Sequence, residues 1–90
     1  MALALNTYRV PVSLGPRLGH AKVYVAAPDP TTAKAMAAPA AARAFSAVYG
    51  VDPGQVRAVS ATLYLSSSRN APPMILSVDL YTEVDIPYRG

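Results

Sequence analysis

The sequence predicts an α+β fold of order ββαββ, with one helix packed on one face of a four-stranded antiparallel sheet. Three observations predict it. Apolar residues from Ala33 to Val48 recur at helical spacing, the segments before and after them alternate with period two, and turn residues punctuate the boundaries. Ninety residues form one domain, 1–90, and a chain of this size buries only about 60–65% of its unfolded surface.

Thr7 to Leu14 reads as the first strand, with Tyr8, Val10, Val12 and Leu14 on one face and Thr7, Arg9, Pro11 and Ser13 on the other. Pro11 cannot donate to a ladder, so this strand is expected at a sheet edge or with a bulge at the proline. Gly15 to Gly19 is a turn, and Ala21 to Ala27 returns as a hairpin partner with Val23 and Val25 inward, Lys22 and Tyr24 outward.

Asp29 and Pro30 then fit the N-cap and first position of a helix. Ala33, Met36, Ala37, Ala40, Ala41, Ala44, Phe45 and Val48 gather into one stripe, and Gly50 supplies the stop. Pro39 removes a backbone bond inside that helix at about 3 kcal/mol, so a kink or two shorter helices are expected. After the Val51–Gly54 turn, Gln55 to Leu65 reads as a third strand, with Val59, Ala61, Leu63 and Leu65 on one face. Ser66 to Pro73 reads as a polar loop. The fourth strand, Met74 to Ile86, sets Met74, Leu76, Val78, Leu80, Val84 and Ile86 against Ser77, Asp79, Tyr81, Glu83 and Asp85.

The chemistry-bearing residues are sparse. The chain has no cysteine, which removes disulfides, thiolate metal sites and thiol catalysis together. His20 is the single histidine and stands beside a glycine turn with no acidic neighbour; Ser66, Ser67 and Ser68 lack a nucleophile elbow. Asp79, Glu83 and Asp85 share a face, yet strand spacing of roughly 7 and 13 Å parts them too far for one cation. GPRLG lacks the spacing and the following helix of a phosphate loop. The expectation is a protein that is not an enzyme, with no catalytic residues, no metal and no cofactor.

Composition points to contacts instead. Only 14% of residues are charged while 52% are hydrophobic, a balance suited to a subunit with much of its surface covered. Residues 1–69 hold seven basic and two acidic groups, a balance of +5, whereas residues 70–90 carry −2. Opposite signs on the opening hairpin and the final strand suit either cross-strand pairing or contact between subunits. No apolar run reaches 18 residues and the start lacks a secretion signal, so neither a membrane nor export is expected.

TYRVPV, AKVYVAAPDPTTAKAMA and AVYG together resemble small strand–strand–helix–strand proteins of bacteriophages and related mobile elements, over about residues 7–62. Pro39 and the strand from Met74 depart from that pattern. The resemblance implies a viral or mobile-element origin, a structural or binding role, and a setting in the host cytoplasm or the virion. It transfers no site residues.

Two functions follow. The first is a non-enzymatic structural or interaction protein, a homo-oligomer or a binder of a partner protein, using strand edges and Asp79, Tyr81, Glu83, Asp85 and Tyr88 of the final strand. The alternative is a single-stranded nucleic-acid binder using Arg9, Lys22, Tyr24 and Tyr64 on the exposed sheet face.

Overall fold

In the computed structural model, residues 3–15 and 18–81 are described. They form β1 (Leu3–Ser13), β2 (His20–Ala27), α1 (Pro30–Tyr49), β3 (Arg57–Ala58), β4 (Thr62–Ala71) and β5 (Met74–Tyr81). One antiparallel sheet holds all five strands. β1 pairs with β2 on one side and with β3 and β4 on the other, and β5 pairs with the far side of β2. The α+β class and the ββαββ layout are as expected, with a two-residue fifth strand added.

The helix begins where the sequence places it. The Thr32 amide donates to the Asp29 carboxylate at 2.7 Å, which holds the Asp29 carboxyl below its ordinary value. Gly50 ends the helix at φ +72°, a left-handed conformation suited to glycine, and its amide donates to the Ser46 carbonyl at 2.8 Å. Between these caps α1 runs unbroken for 20 residues, so the expected division at Pro39 does not occur. The N–H that proline lacks would have bonded the Ala35 carbonyl, and both residues lie on the exposed side. Packing of Ala37 and Ala41 on either side of Pro39 keeps the helix in phase.

Only Ala33, Ala37, Ala41 and Phe45 of the predicted stripe are fully buried, and Val48 is 55% exposed. They meet Tyr8, Val10, Val12 and Leu14 of β1 and its turn, and Ala21, Val23, Val25 and Ala27 of β2. A helix is about 10 Å wide and strands lie about 4.8 Å apart, so one helix covers two strands well and a third in part. Ile75, Val78 and Leu80 of β5 and Ala58 of β3 are accordingly half-buried, while Leu63 of β4 is 52% exposed.

Three expectations need correction. β1 is internal to the sheet rather than at its edge. Pro11 is tolerated because pairing on that side is interrupted: β4 covers Leu3–Arg9, β3 covers Val12–Ser13, and the Pro11 carbonyl accepts from the Val59 amide at 3.3 Å. Second, the segment from Ser66 to Ala71 is strand, not loop, since β1 starts at Leu3 and offers its backbone to Ser66, Asn70 and Ala71. Third, the register shifts between β2 and β5 at Leu76. Ile75 then takes the core face beside Val25, whereas Met74 and Leu76 turn outward. Residues 82–90, the predicted continuation of this strand, lie outside the described residues.

Phe45→Ala should lower unfolding stability by about 3–5 kcal/mol, and Ala37→Leu, which overfills the helix–sheet contact, by about 1–3 kcal/mol, both measurable by denaturant titration. Because the folded Asp29 carboxyl is depressed, its contribution is complete above its unfolded value of 3.8 and is lost as pH falls through the lower folded value. Asp29→Asn should remove that acid limb and leave the neutral-to-basic limb of the stability profile unchanged.

Candidate interaction surface

The helix covers one side of the sheet, and among the described residues no element covers the other. Strand alternation sends Thr7, Arg9, Pro11 and Ser13 of β1, and His20, Lys22, Tyr24 and Ala26 of β2, away from the helix. The cross-strand partners extend each row. Arg57, Ser13, His20 and Tyr81 form one row; Pro11, Lys22 and Asp79 the next; Thr62, Arg9, Tyr24 and Ser77 the third; Leu65, Thr7, Ala26 and Met74 the fourth.

The two ends of this face differ. At one end Leu5, Asn6, Thr7, Ala26, Ala71, Met74 and Leu76 line a groove of about 250 Å³. Leu5 at its floor is only 5% exposed, although Met74 and Leu76 on its rim are half exposed. The other end is aromatic and cationic. The Tyr24 and Tyr64 rings meet edge-on with centroids 5.2 Å apart. The His20 ring stacks on Tyr81 at 5.2 Å, and Lys22 Nζ lies 5.3 Å from the Tyr81 centroid.

Of the final-strand residues expected at a protein interface, Asp79 and Tyr81 are exposed on β5, with Asp79 opposite Lys22 and Tyr81 opposite His20. Glu83, Asp85 and Tyr88 lie outside the described residues. Arg9, Lys22, Tyr24 and Tyr64 are brought together on the helix-free face. Arg57 joins them by its register with Ser13, and Leu5 joins the groove; neither was singled out from the sequence. Alternation read continuously over Gln55–Leu65 puts Arg57 on the same face as Val59 and Leu63; the break between β3 and β4 is what turns it opposite the core.

The outer edges also differ. β4 has two register shifts against β1 and β5 has one against β2, and among the described residues no strand pairs with the far side of either. Among those residues no cluster of three His, Asp or Glu side chains is positioned to hold a metal ion, and no helix is long and apolar enough to cross a membrane. No family model, characterised protein or solved structure matches the chain, so the surface itself carries the functional argument.

The Lys22–Tyr81–His20 contacts give a direct check on this geometry. Tyr81→Ala should leave unfolding stability within about 1 kcal/mol, as expected for exposed aromatic and cation contacts. The His20 ring protons should lose their ring-current shift in the NMR spectrum of the same variant.

Proposed function

We propose that this chain is a non-enzymatic interaction module that assembles with copies of itself, by extending its sheet through the outer edge of β5. The observation that carries this reading is the edge itself. β5 is eight residues long, reads MILSVDLY, and contains neither proline nor lysine; Asp79 and the bulge at Leu76 are the only edge-blunting features among its residues. An antiparallel β5 pair about a two-fold axis would satisfy its free backbone groups. β1 has no edge to offer such a contact, because both of its sides are paired.

Backbone pairing alone is weak, since each net hydrogen bond contributes only about 0.5–1.5 kcal/mol. Met74 and Leu76, half exposed at the start of the same strand, add apolar area to such a contact. The resemblance to bacteriophage proteins supports a structural part played in the virion or the host cytoplasm.

Mass measured by light scattering across a dilution series should fall from a multiple of the 9.4 kDa chain towards the chain itself. Leu76→Lys combined with Ser77→Lys should shift that transition to concentrations at least tenfold higher while leaving the far-ultraviolet circular dichroism unchanged. A single-chain mass at every concentration, or a variant indistinguishable from the parent, overturns the proposal.

A further inference from the structure

We propose that the aromatic and cationic end of the helix-free face binds single-stranded nucleic acid, with Tyr24 and Tyr64 stacking on bases and Arg9, Lys22 and Arg57 meeting phosphates. This site is distinct from the β5 edge and does not depend on assembly.

Three observations converge on it. The first is charge: among the described residues, three basic residues share this end of the face with one acid, Asp79. On the sheet the described cations Arg9, Lys22 and Arg57 stand in three successive rows, so a chain crossing the strands meets a cation in each. Rows are about 6.8 Å apart and strands about 4.8 Å, which gives a patch roughly 14 Å on a side with room for a few nucleotides. The second is the bulge at Tyr64. Leu63 pairs with Tyr8 and Leu65 with Thr7, which leaves Tyr64 as the extra residue, aimed at Tyr24 and 53% exposed. Bulges re-aim side chains in this way beside binding sites. The third is position: Arg9 is the direct cross-strand partner of both Tyr24 and Thr62, on the strand between those that carry the two tyrosines.

These are the parts that sequence-tolerant single-strand binders combine, a cationic track and aromatic platforms on an open sheet. Double-stranded nucleic acid fits poorly, because its bases are stacked away from a flat sheet and offer the tyrosines no face. The apolar groove past Leu65 bounds the patch and presents no charge to a phosphate.

The test is fluorescence anisotropy with a labelled oligodeoxythymidine of about 12 nucleotides, within the range such sites occupy. The full chain should bind saturably at low salt, with the logarithm of affinity falling against the logarithm of salt at a slope of about −2, as three phosphate contacts on a single strand require. Tyr64→Ala should weaken binding about 5- to 100-fold with little change in slope. Arg9→Gln and Arg57→Gln, both at exposed positions, should each reduce the slope by about 0.7 without unfolding the chain. Arg43→Ala on the helix should change nothing, and the Leu76→Lys, Ser77→Lys variant should bind as the parent does or more tightly. Absence of binding at low salt overturns the proposal, as does an equal loss in Arg43→Ala. So does a duplex of the same sequence that binds as well as the single strand. A dimer dissolved by Tyr64→Ala, with no oligonucleotide bound, assigns the face to a second copy and also overturns it.

Discussion

One helix covers one side of a sheet that is wider than the helix. The stripe of Ala33, Ala37, Ala41 and Phe45 lets α1 lie close over β1 and β2, where Val10, Val12, Val23 and Val25 are wholly enclosed. Small side chains permit that approach, and Phe45 fills the space at the far end. The same economy sets the limit. A helix of alanines has too little reach to shelter β4 or to cover more than half of β5, and no other described element covers the opposite sheet face. Both surfaces proposed to bind are regions that the helix fails to reach.

The wide sheet in turn depends on how its strands accommodate irregular residues. Pro11 sits in a central strand, but at the point where β4 has ended and β3 has begun, so its missing donor interrupts nothing. The bulge at Leu76 moves Met74 and Leu76 to the helix-free side and brings Ile75 to the core. The bulge at Tyr64 turns that ring toward Tyr24. The break at Leu76 therefore creates the rim of the groove, since a regular ladder through the same residues would have hidden Leu76 beneath the helix.

That dependence explains what could be foreseen from the residues. The helix, its Asp29 and Gly50 caps, and the inward faces of β1 and β2 follow from periodicity and capping chemistry, which are local. The outward placement of Arg9, Lys22 and Tyr24 follows from the same alternation. The position of β1 inside the sheet, the strand through Ser66–Ala71 and the face reversal in β5 do not, because each is decided by a partner strand distant in sequence. A polar run such as SSSRNA forms a strand when a neighbour presents free backbone, whatever its side chains prefer. Leu5, which precedes the strand read from Thr7 to Leu14, becomes the floor of the groove for the same reason.

If assembly through β5 completes the sheet, the amides of Met74 to Tyr81 that face away from β2 are hydrogen-bonded in the assembly and open to water in the lone chain. Amide hydrogen exchange at high and low protein concentration measures this directly. The account predicts that exchange across β5 slows as concentration rises, while the β1 and β2 amides, paired in either state, keep their rates. Equal protection of β5 at both concentrations, with the remaining strands also unchanged, would contradict it.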